Sequence, residues 1–163
     1  MPTLKTYETP VLAEWTDYNG HLRDAFYLLI FSYATDALMD HLGLDSAGRE
    51  ASGHSLFTLE VHLNYLHEVK QGEPVEVRTQ LLAHDRKRLH IHHTLHHTLH
   101  RPGEDAPLAA SEQMLLHVSL VGGAHSAPFE GVVLERVLAL AEAHRALPRP
   151  EHVGRVIGLP ARA

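Results

Sequence analysis

The chain has 163 residues, enough for one domain with a buried core, and its 44% hydrophobic and 21% charged residues are those of an ordinary soluble globular protein. A formal net charge of -6 argues against wholesale nucleic-acid binding. The absence of cysteine removes disulfides, thiol nucleophiles and Cys-type zinc sites together. The opening MPTLKTYETP lacks the apolar core of a signal peptide, and no apolar run approaches the roughly 20 residues of a membrane span, so a cytoplasmic protein without membrane contact is expected.

Residues 6–15 read as a first strand interrupted by Pro10. The stretch WTDYNGHLRDAFY follows, with Asp17, Asn19, Gly20, His21, Arg23 and Asp24 crowded into it. Residues 24–42 then read as a helix, with Asp24 as N-cap and Gly43 at the C-terminal stop. That helix is apolar nearly all round, which predicts burial on several sides. LDSAGREASGHS reads as a loop. Four strands are expected at 56–69, 74–84, 88–100 and 106–121, separated by QGEP, HDRK and RPGEDAP. GGAHSAPFEG is a further loop, 132–146 has helical spacing suited to covering an edge or end of the sheet, and the tail LPRPEHVGRVIGLPARA reads as extended.

Strands joined by such short turns are antiparallel, and a sheet that follows one apolar helix can wrap round it. The fold class expected is α+β, over a single unit 1–163 with its core at about 7–121 and a C-terminal helix and tail at 132–163.

This pattern resembles the hot-dog fold, and the local motif strengthens the resemblance. Asp17-Tyr18-Asn19-Gly20-His21, with Tyr27 ten residues after Asp17, is similar to the Asp-x-x-Gly-His segment of the 4-hydroxybenzoyl-CoA-thioesterase-like group. TDYNGH, LGLD, FTLEVHLNYLHEVKQGEPVEV, DRKRLHIHHTLH and SEQMLLHV together resemble the subgroup acting on betainyl-CoA, some of whose members are fused to carnitine dehydrogenases. Arg23 and Asp24 stand where the common subgroup pattern has two asparagines. The resemblance implies an acyl-CoA thioesterase whose Asp17 carries the chemistry. It also implies no cofactor, coenzyme A entering only as part of the substrate.

Thioester hydrolysis needs a nucleophile or general base, a stabiliser for the oxyanion and a seat for the acyl group. Asp17 fits the first role, either attacking the carbonyl or activating water, and desolvation beside the helix is expected to raise its pKa. Amides from about His21 to Asp24 are candidates for the oxyanion hole, with Gly20 giving the backbone close access. Asn19 and His21 are candidates to polarise the carbonyl or orient water; turn-shaping and capping are the structural alternative for the same residues. Along 58–65, alternation puts Thr58, Glu60, His62 and Asn64 on one face. In hot-dog dimers this strand often lies across the interface, so Glu60 is expected to join Asp17 from a neighbouring copy. An edge-to-edge homodimer follows, with further pairing into a tetramer left open.

A quaternary ammonium favours aromatic faces, at about 2 kcal/mol when desolvated. Trp15, Tyr18, Tyr27 and Tyr65 are the candidate wall, with Trp15 and Tyr18 preferred. Arg86, Lys87 and Arg88 are candidates for the coenzyme phosphates, against a plain solvated turn. LHIHHTLHHTLH places His90, His92, His96 and His100 on one face and His93 and His97 on the other; a wet sheet face is expected there, and no metal. Two alternatives stand beside the thioesterase: a hot-dog enoyl-CoA hydratase using His21 and Glu60, and a histidine-rich metal- or ligand-binding domain without catalysis.

Overall fold

The computed structural model describes residues 2–99 and 104–161. In chain order the elements are β1 (Leu4–Pro10), a 3₁₀ turn (Ala13–Trp15), α1 (Asp24–His41), α2 (Ser46–Ser52), β2 (His54–Tyr65), β3 (Pro74–His84), β4 (Arg88–His97), β5 (Ala109–Ser119), β6 (His125–Ser126) and α3 (Gly131–His144). The strands form one antiparallel sheet in the order β1-β3-β4-β5-β2, with the two-residue β6 on β5. His100, assigned to the end of the histidine strand, lies outside the described residues.

The sheet holds α1 against its inner face. Ile30, Phe31, Ala34, Thr35, Leu38 and Met39 recur at helical spacing and are buried. Tyr27, Ile30, Phe31 and Ala34 pack with Val75, Val77, Leu95 and Ala109; Leu38 and Met39 continue the core with Leu81, Leu89, Ile91 and Leu115. Each fully buried side chain of this size contributes about 2 kcal/mol. Burial is a broad stripe rather than the whole perimeter, since Leu28 is 43% and Tyr33 39% exposed. α3 closes the far end: Val137 and Leu140 join the second core cluster. The Leu81 amide, two residues beyond the last β1 pairing at Leu4 and Thr79, donates to His144 Nδ1 at 3.0 Å.

Several local expectations change: the strand read at 6–15 ends at Pro10 and is followed by the 3₁₀ turn, and GGAHSAPFEG contains the short β6. LDSAGREASGHS is not a loop throughout, because Asp45 caps α2 by accepting from the Gly48 amide at 2.8 Å. Arg23, not Asp24, is the N-cap of α1, and Asp24 is its first helical residue. The histidine face is not wet: His92 is 3% and His96 7% exposed. The tail explains part of this cover. Pro148 O accepts from Gln80 Nε2 at 3.2 Å and the Gly154 amide donates to Glu112 Oε1 at 2.7 Å, so residues 148–154 cross the outer face from β3 to β5. On the inner face His93 is fully buried and stacks on Phe31. Among the described residues no helix is long and apolar enough to cross a membrane.

Candidate active site

The polar stretch before α1 is a tight, self-bonded loop. Thr16 and Leu22 form a bridge, the Asp17 amide donates to His21 O at 2.9 Å, and the Gly20 amide donates to Asp17 O at 3.0 Å. Gly20 makes the reversal at φ +75, where a side chain would be strained. The Asp17 carboxylate lies inside this loop. Its Oδ1 accepts from the Asn19 amide at 2.8 Å and the His21 amide at 3.2 Å.

Those contacts reverse the expected acidity of Asp17. Partial desolvation pushes the carboxyl up, but the Asn19 and His21 amides, with His21 and Arg23 nearby, hold it below the ordinary aspartate value. Asp17 is therefore an ionised carboxylate at neutral pH, not a carboxylic acid awaiting a proton.

The connector between β2 and β3 fixes the loop from the other side. The Leu22 amide donates to Val69 O at 2.8 Å, the Gln71 amide donates to Gly20 O at 2.9 Å, and His21 bridges to Lys70. The Arg23 amide donates to Trp15 O at 2.9 Å. Of the amides expected to form an oxyanion hole, His21, Leu22 and Arg23 are thus committed to the loop. Among the described residues no acceptor reaches the Asp24 amide, which stands at the first position of α1 where the helix dipole is positive.

The aromatic candidates separate. Trp15 is 5% exposed, a core residue stacked on Phe26 with ring centroids 6.4 Å apart. Tyr18 is 93% exposed on the loop surface. Tyr27, in the first turn of α1, meets Tyr65 edge-on at 5.1 Å. Tyr65 donates from its hydroxyl to Asp24 O at 3.0 Å and stays 53% exposed. Tyr27 and Tyr65, rather than Trp15 and Tyr18, form the aromatic corner beside the helix terminus.

One neighbour was not singled out in the sequence. Glu68 Oε2 lies 3.3 Å from His21 Nε2. Its signal was the run HEVKQGE, an acidic residue in the connector that the fold brings against Gly20 and His21.

The remaining candidates lie elsewhere in this chain. Thr58 and Glu60 do not share a face, because a bulge at Leu59 pairs Thr58 with Leu115 and Glu60 with Met114. Glu60 borders an outer-face cavity of about 340 Å³ with His62, His90, Glu112 and Arg155. It is five residues along β2 from Tyr65, roughly 16 Å at strand spacing. Arg86, Lys87 and Arg88 form the β3–β4 turn at the end of the sheet remote from Asp17. Arg88 Nε is bonded to Asp85 Oδ2 at 2.7 Å, and Lys87 Nζ to Ser126 Oγ at 3.3 Å. β3 is 11 residues long, so this turn lies roughly 30 Å along the strand from Pro74. Among the described residues no three His, Asp or Glu side chains are grouped to hold a metal ion.

A model of the Thioesterase-like superfamily matches residues 11–153. The chain belongs to this superfamily. It is 77% identical over 157 residues to a betainyl-CoA thioesterase of Pseudomonas aeruginosa, covering 96% of each chain. It is 41% identical over 151 residues to an L-carnitine dehydrogenase/betainyl-CoA thioesterase of Agrobacterium fabrum, matching 93% of this chain and 30% of that one. Among solved structures, a Pseudomonas putida protein superposes with TM-score 0.83 at 56% identity over 99% of both chains. A Staphylococcus aureus protein in complex with CoA superposes with TM-score 0.86 at 27% identity over 98% of both. The expected hot-dog architecture and the expected reaction class both hold: the chain is an α+β thioester hydrolase of the acyl-CoA thioesterase kind.

Proposed function

We propose that this thioesterase hydrolyses betainyl-CoA to betaine and coenzyme A, with Asp17 as the reacting carboxylate. The observation that carries the reading is the 77% identity, over 96% of both chains, to a betainyl-CoA thioesterase. The loop supplies the chemistry. Asp17 is ionised, held by two amides and placed seven residues before the start of α1. It either adds to the thioester carbonyl, giving an anhydride that water then cleaves, or removes a proton from the attacking water. In both routes the C–S bond breaks, one water is consumed, directly at the thioester carbonyl or in cleaving the anhydride, and coenzyme A leaves as the thiol with a proton that comes from that water. The Asp24 amide and the positive end of α1 are suited to the oxyanion. Asn19 and His21 border the carboxylate and assist in placing carbonyl or water. No cofactor enters these steps.

The active unit in this reading is a homodimer. β2 is an edge strand with Phe57 at 42% and Leu59 at 55% exposure, and an unpaired edge of that kind is suited to a second copy. Antiparallel pairing there brings Glu60 and the remote Arg86–Arg88 turn of one copy towards the Asp17 end of the other. Acyl-CoA hydrolysis followed with a thiol-reactive dye, with and without chelator, tests the function. Betainyl-CoA is expected to turn over fastest and independently of chelator. Enoyl-CoA hydration without thiol release, or tight metal binding without turnover, would overturn the reading.

A further inference from the structure

A trimethylammonium group has no N–H and cannot donate an ordinary hydrogen bond. It is recognised by aromatic ring surfaces and by negative charge a few ångströms away. At the Asp17 end of this chain both features occur together outside the catalytic loop. Tyr65 keeps half its surface open, and its ring is set edge-on against Tyr27 and pinned by its hydroxyl to Asp24 O. Glu68 is three residues further along the connector, and its side chain is 79% exposed.

Glu68 has no evident structural duty. Among the described residues its ion-pair partner is His21, at 3.3 Å, and no lysine or arginine pairs with it. An exposed contact of this kind adds little to stability. Its place is nevertheless fixed, because the flanking backbone is tied to the catalytic loop through Val69 O, the Lys70 bridge and the Gln71 amide. Glu68 also lies within electrostatic reach of Tyr27: burial, then Glu68, pushes that phenol up to about 12. A carboxylate set against the His21 ring of the catalytic loop is unfavourable for an enzyme whose substrate carries coenzyme phosphates. It becomes favourable where the acyl group carries a positive charge.

We propose that Glu68 is the specificity determinant for a cationic acyl group, acting with the Tyr27–Tyr65 corner to accept a quaternary ammonium and to disfavour neutral acyl chains. This rests on the reading of the substrate as betainyl-CoA and adds the residue that reads its charge. The carboxylate attracts the cation at contact range without a hydrogen bond, while Tyr65 offers an aromatic surface. His21 holds the carboxylate towards the loop.

The test compares betainyl-CoA with 3,3-dimethylbutyryl-CoA, in which a quaternary carbon replaces the quaternary nitrogen at the same position. The measured quantity is the ratio of kcat/KM for the two substrates in the wild type, Glu68→Gln and Glu68→Asp. Glu68→Gln is expected to lower the ratio about tenfold, with Glu68→Asp recovering part of it. Added salt should erode the wild-type ratio more than that of Glu68→Gln. Thermal unfolding of both variants should match the wild type, since the side chain is exposed. A Glu68→Gln enzyme that keeps the wild-type ratio overturns the proposal and leaves the substrate assignment standing. A wild type that shows no preference for the charged substrate overturns the substrate assignment itself.

Discussion

His93 offers a quantitative test of how the sheet grips α1. The ring is fully buried, parallel to Phe31 at 5.7 Å, and bonded at both nitrogens. Thr35 Oγ1 donates to Phe31 O at 3.1 Å, so it accepts from His93 Nε2 at 3.0 Å. Nδ1 is then an acceptor for the Thr79 hydroxyl at 2.8 Å, and the Thr79 oxygen lies 2.9 Å from the Thr6 hydroxyl. This chain is complete with one neutral tautomer. Burial, with His92 as a lesser cause, lowers the His93 pKa from 6.5 to about 3. The sign follows from linkage. As pH falls below 6.5 the unfolded chain takes up the proton and the folded chain does not, so the contribution present at neutral pH is lost between 6.5 and about 3. The slope is about 1.4 kcal/mol per pH unit, so roughly 2 kcal/mol is lost by pH 5 and roughly 5 kcal/mol at the limit. That limit is comparable to the whole net stability of a modest domain. His93→Phe keeps a ring against Phe31 and leaves Thr35 and Thr79 with Phe31 O and Thr6 as partners. Urea unfolding at several pH values between 5 and 7 should show a variant less stable at pH 7 but with a slope shallower by about 1.4 kcal/mol per unit. His92, His96, His117 and His144 are also lowered by burial and supply the residual slope. Equal slopes in wild type and variant, or a His93 resonance titrating near 6.5, would refute the neutral, bonded ring.

Asp17→Asn retains an oxygen for the Asn19 and His21 amides but removes the charge, so hydrolysis should fall by about 10²–10⁴-fold with little change in Tm. Retention of a tenth or more of wild-type kcat would contradict Asp17 as the reacting group. Glu60→Ala should reduce turnover and leave the monomer fold intact; wild-type hydrolysis in that variant would remove Glu60 from the site. Asp45→Ala takes away the α2 cap and should cost about 1 kcal/mol, read as a Tm lower by a few degrees with kcat unchanged.

Much of the fold was legible because turn chemistry and hydrophobic spacing agree. The strand expected at 74–84 is β3 to the residue, and the helix expected at 24–42 overlaps α1 over its full length. What escaped depends on partners distant in sequence. The bulge at Leu59 leaves no mark on the alternation of 58–65, since it arises where β2 is matched against β5. Alternation grouped His90, His92 and His96 correctly on one face. It could not show that residues 148–154, some fifty positions later, would cross that face. α2 is seven residues of SAGREAS with a weak local preference, and Asp45 followed three residues later by Gly48 was its available signal.

The site shows the same division between what is local and what the fold assembles. Asp17 is identifiable by type and place, whereas its acidity depends on which amides the loop turns inward. A carboxylate at the head of an apolar helix suggests desolvation and a raised pKa. The closed loop replaces water with two backbone donors, and that exchange favours the charged form. The same amides then cannot serve the substrate. Among the described residues, the donors from His21 to Arg23 are all taken and the Asp24 amide, at the start of α1, has no acceptor, while the carbonyl of the same residue accepts from Tyr65. The polar residues of WTDYNGHLRDAFY therefore do two separate jobs. Those before Arg23 hold one carboxylate ionised and fixed, and the helix beginning at Asp24 leaves one amide open at its positive end.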